Sequence, residues 1–340
     1  MKLSVCMATY NGEKFIKEQI ESILNQTHKP DEIIISDDAS RDKTQDILIE
    51  YQKRYPDLIK VILNKDNVGF VKNFERALLA SSGDLVALSD QDDVWLPEKL
   101  QEEYSILEKN PNVGLTFSDL KLVDENLNEI EKSMWKFYKW QLNGYIKGAE
   151  FFESILKSNR VTGCTVMIRR QILNDLIPFD SRIHLHDYWL ALGSSLLSDV
   201  FAINKQLVLY RQHSNNQIGA GIINKTINYD QYLANLQKEA KGLFKEKEFR
   251  EYIFEYVKEH TKNYLIIKRV DKYRVFNELR YKLYSGQSLL NRLLIVFRLT
   301  FRINLYADKK SFLRDIFSSK IRKLRFLFVS KIKNINTKEN

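Results

Sequence analysis

Acidic side chains follow two apolar runs in the N-terminal part of this 340-residue chain. Asp37 and Asp38 come after EIIIS, and Asp90, Asp92 and Asp93 come after LVALS. Carboxylates gathered in one place repel one another unless a cation or hydrogen-bond donors lie between them. A small set of hard oxygen ligands suits Mg²⁺ or Mn²⁺, which keep open positions for the oxygens of a diphosphate. The pattern therefore indicates metal-assisted binding of a diphosphate ligand.

The two-residue spacing of Asp90 and Asp92 indicates that their side chains point to the same side of the chain. In an extended backbone, residues two apart point to the same side, while Gln91 between them points to the other. We therefore expect both carboxylates to face one site. A helix cap is the simpler interpretation of Asp93, because this residue precedes a helix that Pro97 helps to start.

Alternating apolar runs and helical patterns predict the elements that position these carboxylates. Between residues 3 and 119 the runs are short, and the β-branched stretch at residues 33–35 indicates a strand covered on both faces. In the first helical segment, Ile16, Ile20 and Ile23 form one apolar stripe. The alternation predicts a parallel sheet wrapped by helices, in which ligands bind beyond the carboxyl ends of the strands. The helices expected in this part span residues 13–26, 43–55, 71–80 and 97–109.

The later part of the chain has a looser pattern. The strand-like runs are VGLTFSD, VTGCTVMI and VFAINKQLVLYRQH, and they are separated by helical stretches at residues 148–156 and 186–197. We interpret these elements as the second half of the same α/β domain. From about Thr226 onward only helical patterns occur. The expected organisation is an α/β domain at residues 1–222, with halves 1–119 and 120–222, and a helical region at 223–340.

Composition and charge restrict the class of protein. With 44% apolar residues, 12 Gly and 5 Pro, the chain is typical of a folded globular protein. Residues 1–220 hold 26 Lys and Arg against 32 Asp and Glu, whereas residues 221–340 hold 27 against 12. A strongly basic C-terminal region suggests an anionic partner surface, either nucleic acid or the cytoplasmic face of a membrane.

Two features favour a cytoplasmic location. Cys6 and Cys164 are far apart in the sequence and are most simply reduced core thiols. The sequence shows neither a secretory signal peptide nor the roughly 18 consecutive apolar residues of a spanning helix. We therefore expect a cytoplasmic protein that does not cross the membrane.

Three motifs together resemble the nucleotide-sugar-binding half of family 2 glycosyltransferases, whose fold is called GT-A. They are the T-Y-N turn of MATYNGEKF, the D-D-x-S turn of IIISDDASRDKT and the D-x-D motif of LVALSDQDDVWLPEKL, in the family's order and spacing. The resemblance covers roughly the first 220 residues. It implies a Rossmann-like mixed α/β sheet flanked by helices, followed here by the C-terminal helical region.

The resemblance assigns donor-binding roles to residues at the strand ends. Thr9 and Tyr10 would lie against the nucleotide base, and Asp38 would accept a hydrogen bond from N3–H of uracil or thymine. Asp90 would contact the ribose or the sugar, and Asp92 would bind the metal directly. An Asx turn is the structural alternative for the pair at residues 37–38.

Further donor-side residues follow from the same resemblance. Asn67, Lys72 and Asn73 lie in the stretch that borders the nucleotide and diphosphate in this family. Lys72 stands where an arginine is common, and a solvated lysine is the alternative. The segment YRQHSNN resembles one whose histidine helps to hold the metal or diphosphate, which implies His213 as a metal ligand and Arg211 as a phosphate-neutralising group. A polar loop after a strand is the plainer interpretation.

The acceptor side is implied by HDYW at residues 186–189. This segment resembles the family's acidic motif, whose carboxylate takes the proton from the acceptor hydroxyl, and it implies Asp187 as general base. A helix N-cap is the ordinary role of an Asp at a helix start. Trp189 would be an aromatic platform for the acceptor, with core packing as the alternative.

The reaction implied is a metal-dependent, inverting transfer of a sugar from a nucleoside diphosphate donor to a saccharide acceptor. The segments SDQDDVW, HDYW and YRQHSNN are most similar in sequence to those of bacterial rhamnosyltransferases of surface polysaccharide assembly. That similarity makes dTDP-L-rhamnose the leading donor, with UDP-hexoses as alternatives. The acceptor would be carried on a lipid diphosphate, and the basic helices at residues 288–333 would contact the membrane or pack on the α/β domain.

Two other classes of protein are considered. A sugar nucleotidyltransferase also combines an α/β sheet with acidic metal ligands, but its glycine-rich triphosphate loop is missing where TYNGE stands. A nucleic-acid-binding protein would account for the basic region but not for the acidic strand ends. We therefore expect no nucleic-acid partner.

Overall fold

A computed structural model describes residues 1–213 and 229–284, together with residues 294, 295, 298, 299, 302 and 305, and describes only the backbone for residues 229–240. Contacts divide the chain into two compact units. The first is Met1–Ile155 with Asn159–Gly221, and the second is Leu156–Ser158 with Ile222–Asn340. The predicted membrane segment 288–333 and residues 214–216 of the SNN motif lie outside the described residues, apart from the six isolated positions.

The N-terminal part of the first unit alternates strands and helices, as its apolar pattern predicts. The four strands are parallel neighbours in the order β3-β2-β1-β4. The elements are β1 (Leu3–Thr9), α1 (Ile16–Leu24), β2 (Glu32–Asp37), α2 (Thr44–Arg54), β3 (Ile59–Leu63), α3 (Phe70–Ala80) and β4 (Leu85–Ser89).

The remainder of the first unit extends the same sheet with antiparallel as well as parallel pairs. Its elements are β5 (Val94–Trp95), α4 (Lys99–Lys109), β6 (Val113–Val123), β7 (Glu129–Glu131), α5 (Met134–Phe137), β8 (Gly144–Ile146), α6 (Gly148–Ile155), β9 (Val166–Arg169), α7 (Arg170–Asn174), α8 (His186–Leu197) and β10 (Asp199–Arg211). The main strand order is β3-β2-β1-β4-β9-β6-β10-β5. Because β9 runs antiparallel to both β4 and β6, the sheet is mixed. The predicted mixed α/β fold class is confirmed.

Only the second half of the predicted strand VTGCTVMI is a β-strand in the structure. Gly163–Thr165 form a 3-10 turn, and β9 begins after it at Val166. The Thr165 hydroxyl donates to the carbonyl of Thr162 at 2.7 Å, which satisfies a backbone acceptor inside the turn. This turn brings Gly163 to the first turn of α8, where a Cβ on residue 163 would lie 3.6 Å from Cβ of Asp187.

The core of the first unit includes one fully buried ion pair. On α4, Lys99 Nζ donates to a carboxylate oxygen of Glu103 at 2.8 Å, and neither side chain is exposed. The same ammonium lies 4.0 Å from the centre of the Trp95 ring. Buried charges are tolerated when they are paired in this way, since each isolated charge would lose its hydration without compensation.

In the part of the second unit that the structure describes, the long helices are α9 (Tyr229–His260) and α10 (Tyr264–Tyr284). An apolar cluster on α10, formed by Phe276, Leu279 and Leu283, packs with Ile295 and Leu299 further along the chain. Among the residues described, no helix is long and apolar enough to cross a membrane.

Candidate active site

The ends of β1 and β2 are tied together by the Asp37 carboxylate. Thr9 Oγ1 donates to Asp37 Oδ2 at 2.8 Å, and the backbone N–H of Ser40 donates to Asp37 Oδ1 at 2.9 Å. Asp37 is therefore a turn-forming residue, in agreement with the structural alternative for this position. It holds Thr9 at the carboxyl edge of the sheet, immediately before Tyr10.

Asp38 organises the loop that precedes α3. Its two carboxylate oxygens accept hydrogen bonds from the backbone N–H groups of Val68 at 2.7 Å and Gly69 at 2.9 Å. Gly69 has a φ of 85°, a left-handed conformation that glycine adopts without a steric penalty. The Asp38 side chain is buried, so it sets the shape of this loop. Its contact with a nucleotide base stays a prediction.

Asn67 and Asn73 occupy different environments although they lie in one predicted stretch. Asn67 is exposed, and its side-chain amide donates to the carbonyl of Asp38 at 3.3 Å. Asn73 is buried on α3; its amide donates to the carbonyl of Thr9 at 3.1 Å and accepts from Asn64 at 2.9 Å. The structure thus places Asn73 beneath the Thr9–Tyr10 turn, where it supports the backbone, and leaves Asn67 at the surface.

Lys72 is held by protein groups. Its ammonium lies 2.8 and 3.0 Å from the two carboxylate oxygens of Glu75 and 2.8 Å from the carbonyl of Phe179. An ammonium has three N–H donors, and these three contacts use them. The arrangement differs from a freely solvated lysine, and the diphosphate contact of Lys72 stays a prediction.

The D-x-D segment after β4 places its carboxylates close together. Burial, followed by the neighbouring charges of Asp92 and Asp187, raises the pKa of Asp90 to about 8. Burial, followed by the charges of Asp92 and Asp90, holds the pKa of Asp93 well above its usual range. Asp90, Asp92 and Asp93 therefore lie with Asp187 in one region of low dielectric constant and high negative charge.

The predicted role of Asp93 as a helix cap is wrong. Helix α4 begins only at Lys99, with Glu98 at the N-cap position and no side-chain cap hydrogen bond. Asp93 is buried ahead of β5, where its Oδ1 accepts from the backbone N–H of Arg211 at 3.1 Å and its Oδ2 has no hydrogen-bond partner among the described residues. One ligand atom each from Asp90, Asp93 and Cys164 lies within 4.8 Å of the others.

The structure brings together the two predicted metal ligands, which are 121 residues apart in the sequence. Nε2 of His213 lies 2.9 Å from Oδ2 of Asp92. The imidazole ring also lies near Phe15, with 4.9 Å between ring centres. An aspartate oxygen and an imidazole nitrogen that face each other at the carboxyl edge of a sheet are a suitable ligand pair for a divalent cation.

Arg211 lies in the protein interior, where only 1% of the residue is exposed. Its Nε donates to the carbonyl of Asp92 at 2.8 Å, one terminal nitrogen donates to the carbonyl of Glu125 at 2.6 Å, and the other contacts the Glu18 carboxylate. The guanidinium also lies 4.4 Å from the centre of the Phe15 ring. The predicted phosphate contact of Arg211 is wrong in this arrangement, because its guanidinium is buried and its donors contact Asp92, Glu125 and Glu18.

Gln91 is a residue whose role the sequence did not reveal. Its side-chain amide pairs with the backbone of Tyr10 on both sides, accepting from the Tyr10 N–H at 2.8 Å and donating to the Tyr10 carbonyl at 3.0 Å. A Cβ on Gly12 would collide with this amide, so the glycine of the T-Y-N-G turn leaves room for it. The one available signal was that Gln91 points away from its two acidic neighbours.

Asp187 lies in the first turn of α8 but is not its N-cap, since Leu185 occupies that position. One carboxylate oxygen accepts from the backbone N–H of Tyr188 at 2.7 Å, and the other accepts from the side-chain amide of Asn159 at 3.2 Å. Burial raises the pKa of Asp187 to about 6. A carboxylate with this pKa is mostly ionised at pH 7 and is more basic than an exposed one.

Two aromatic residues beside Asp187 are buried. His186 stacks on Phe74 with 4.2 Å between ring centres, and burial lowers the pKa of this imidazole to about 3, so it is neutral at physiological pH. Trp189 is 1% exposed, and its Nε1 donates to the carbonyl of Leu176 at 3.0 Å. The prediction of Trp189 as an acceptor platform is therefore wrong, because its ring is part of the core.

Comparison with known proteins identifies the family. Residues 4–177 match the domain described as Glycosyl transferase family 2, which is about half of the chain. The chain therefore belongs to glycosyl transferase family 2. It is 32% identical over 228 residues to the dTDP-rhamnosyl transferase RfbG of Shigella flexneri, a match that covers 64% of this chain and 74% of that protein. The chain spans 59% of the length of several other curated relatives that it matches.

Solved structures support the GT-A fold expected from the motifs. The structure of S. aureus TarS 1–349 in complex with UDP-GlcNAc has a TM-score of 0.55 at 18% identity, covering 91% of this chain and 93% of that one. The mannosyltransferase PcManGT from Pyrobaculum calidifontis, in complex with GDP-Man and Mn²⁺, has a TM-score of 0.50 at 16% identity, with 98% and 87% covered. These two likenesses concern the fold alone, and with the family match they confirm a GT-A glycosyltransferase fold.

Proposed function

We propose that this chain is a metal-dependent, inverting glycosyltransferase that moves a sugar from a nucleoside diphosphate donor to a saccharide acceptor. The supporting observation is that Asp90, Asp92, Asp187 and His213, from three separate parts of the chain, approach one another at one edge of the sheet. In this proposal Thr9, Tyr10 and Asp38 surround the donor base.

The residues at this edge fit a divalent cation. The raised pKa values of Asp90 and Asp93 show that this region disfavours their ionised forms, and a cation beside them would reverse that preference. Asp92 and His213 would hold Mg²⁺ or Mn²⁺, and the related Pyrobaculum fold was solved with Mn²⁺. When bound, the metal stabilises the negative charge that develops on the departing nucleoside diphosphate.

Asp187 acts as the general base in this proposal. Its carboxylate takes the proton of the acceptor hydroxyl as the oxygen bonds to the anomeric carbon of the sugar and the bond to the diphosphate breaks. The side-chain amide of Asn159 orients one carboxylate oxygen. Because one base and one displacement are used, the configuration at the anomeric carbon inverts; retaining glycosidases, by contrast, form a covalent intermediate on a second carboxylate.

The leading donor is dTDP-L-rhamnose. The supporting observation is the 32% identity to an enzyme named as a dTDP-rhamnosyl transferase. A UDP-sugar is the second candidate, and it is favoured by the shared fold with TarS in its UDP-GlcNAc complex. A saccharide on a lipid diphosphate carrier is the proposed acceptor, and the basic segment 288–333 is proposed to contact the cytoplasmic face of the membrane that holds it.

A thermal-shift panel with dTDP, UDP and GDP, each with and without Mn²⁺, tests donor class and metal dependence together. Ligands that bind only the folded state raise the unfolding temperature. We expect the largest metal-dependent shift with dTDP. Asp92→Asn should abolish the metal-dependent part, while Asp66→Asn, an exposed control, should keep it. Release of pyrophosphate from a nucleoside triphosphate and a sugar phosphate would contradict the proposal and indicate a nucleotidyltransferase.

A further inference from the structure

A row of aromatic rings is exposed on the first unit between β7 and β8. We call residues 136–140 the aromatic ridge. Phe137 is 48% exposed and Tyr138 is 44% exposed, and both are flanked by exposed lysines. The rings are continuous: Phe137 meets Tyr138 edge to face at 5.0 Å, and Tyr138 stacks on Trp140 at 5.1 Å. Large apolar groups placed next to one another at a surface mark a site of interaction.

The base of the aromatic ridge is anchored firmly in the core. Oδ2 of Asp119 accepts from the Ser133 hydroxyl at 2.5 Å, and Oδ1 accepts from the backbone N–H of Trp135 at 3.1 Å. Trp135 itself is buried, with its ring 5.5 Å from that of Phe117. The exposed rings are therefore held outward by a fixed support, which reduces the conformational entropy that would be lost on binding.

The charge of the surrounding segment specifies the kind of partner. Residues 132–149 contain four lysines and no acidic residue. Within the described part of the chain, neither Lys136 nor Lys139 forms an ion pair, and both are exposed. Aromatic side chains together with unpaired lysines form the composition that binds the interface of anionic membranes, since the rings enter the headgroup region and the ammonium groups meet lipid phosphates.

We propose that the aromatic ridge inserts into the interface of an anionic membrane. This surface belongs to the first unit and is separate in sequence from the basic segment 288–333. The membrane contact can form whether or not the transfer reaction takes place. Its role in bringing an acceptor to the site, however, rests on the proposed function.

The aromatic ridge lies near residues that contact the candidate base, Asp187, and this position explains why a membrane contact would serve the reaction. The Arg160 guanidinium lies 5.8 Å from the centre of the Trp140 ring, and the adjacent Asn159 donates to Asp187. Met134, at the start of α5, accepts from the hydroxyl of Thr162 at 3.6 Å, one residue before the turn that borders Asp187. A membrane at the aromatic ridge would therefore bring a lipid-linked acceptor close to its base.

Tryptophan fluorescence of the full chain tests this proposal. The chain has four tryptophans, and Trp95, Trp135 and Trp189 are buried, whereas Trp140 is half-buried at the aromatic ridge. Vesicles of equal parts phosphatidylglycerol and bromine-labelled phosphatidylcholine should quench the emission of Trp140. Trp140→Phe should remove the quenched component. Binding through segment 288–333 alone would sediment the protein without this quenching, so the two contacts are distinguished.

Substitutions separate the apolar and charged contributions. Lys136→Gln with Lys139→Gln should weaken insertion about 25-fold, since each lysine near an anionic surface contributes about fivefold. Phe137→Ser with Tyr138→Ser should abolish the quenching. The matched control is Tyr264→Ser with Leu265→Ser, an equally apolar pair that is 69% exposed at each position in the second unit, and it should leave the quenching unchanged.

Three outcomes would overturn the proposal. The first is an absence of quenching with the wild-type chain, and the second is equal quenching by vesicles without phosphatidylglycerol. In the third, the Phe137→Ser and Tyr138→Ser pair keeps full quenching but loses transfer to a soluble saccharide, which would identify the rings as a sugar platform. Because the reporter is fluorescence, failure of the transferase proposal would leave the membrane result readable.

Discussion

Asp187 owes its chemical character to its surroundings. It lies in the first turn of α8, its oxygens accept from Tyr188 and Asn159, and its charge contributes to the raised pKa of Asp90. A general base contributes about 10²–10⁴-fold to a proton-transfer step. We therefore expect Asp187→Asn to lower kcat by about that factor while the calorimetric Kd for the nucleoside diphosphate stays unchanged. Asp175→Asn, an exposed control just after α7, should remain active. An Asp187→Asn enzyme within tenfold of the wild type would exclude the role.

The pH dependence of the reaction follows from the same carboxyl group. Burial raises the pKa of Asp187 to about 6, and only the ionised form can accept a proton. We expect kcat/KM to be constant above that pH and to fall about tenfold per pH unit below it. The measurement is a pH profile of nucleoside diphosphate release. The acidic limb should be absent from the residual activity of Asp187→Asn, and a wild-type profile that is flat down to pH 5 would contradict the assignment.

Residue types and motif order predicted the approach of Asp92 to His213, but they could not predict burial. Arg211 and Trp189 are predicted site residues, yet the structure buries both in the interior. Their environment is set by strands and helices distant in sequence, such as the carbonyl of Leu176 that accepts from Trp189. A short motif carries the chemical type of a side chain and not the direction in which packing turns it.

At the scale of elements, Gln91 couples the D-x-D segment to the turn after β1. Its amide makes two hydrogen bonds to the backbone of Tyr10, and a hydrogen bond of this kind contributes about 0.5–1.5 kcal/mol. We expect Gln91→Ala to weaken nucleoside diphosphate binding about tenfold by calorimetry, because the turn that receives the base loses its support. Gln101→Ala is the matched control on α4, where the exposed amide donates to the Ser105 hydroxyl at 2.8 Å. Equal affinity of Gln91→Ala and wild type would show that the turn is rigid without this residue.

Helix α4 depends on a charge pair in its core. Lys99 and Glu103 are wholly buried, so removal of one partner leaves an uncompensated charge. We expect Lys99→Met to lower the free energy of unfolding by about 3–5 kcal/mol in urea denaturation. The double variant Lys99→Met with Glu103→Leu should recover most of that loss, since no buried charge remains. Similar stabilities for the single and double variants would contradict the coupling.

The bounds of the elements show which information is local. The four helices predicted in the N-terminal part occur within one to three residues of their expected starts, because each carries its own apolar stripe. The direction of β9 and the two-residue strand β5 could not be predicted. Their pairing is decided by neighbours more than 45 residues away, as where Leu115 of β6 pairs with Ile168 of β9. Local periodicity predicts an element, whereas its partner depends on the whole sheet.

In the molecule as a whole, the candidate site and the excess of basic residues lie in different parts of the chain. Every candidate site residue lies between positions 9 and 213, in a part with more acidic than basic residues, whereas residues 221–340 hold 27 Lys and Arg against 12 Asp and Glu. Surface charges of one sign bind an opposite surface in a salt-dependent manner, since ions screen them over about 8–10 Å. The basic region is therefore expected to supply the long-range attraction to an anionic membrane.

Truncation after Gly221 tests whether donor binding belongs to the first part of the chain and membrane attraction to the basic C-terminal region. The shortened chain keeps all candidate donor-binding residues, so its thermal shift with a nucleoside diphosphate and Mn²⁺ should match that of the full chain. Loss of the basic region should lower sedimentation with phosphatidylglycerol vesicles at low salt, and the salt dependence of binding should become shallower. A matched full-length control at high salt should resemble the truncated chain at low salt, because screening removes the same attraction. If the truncated chain sediments as well as the full chain at low salt, the charge of the C-terminal region has another partner.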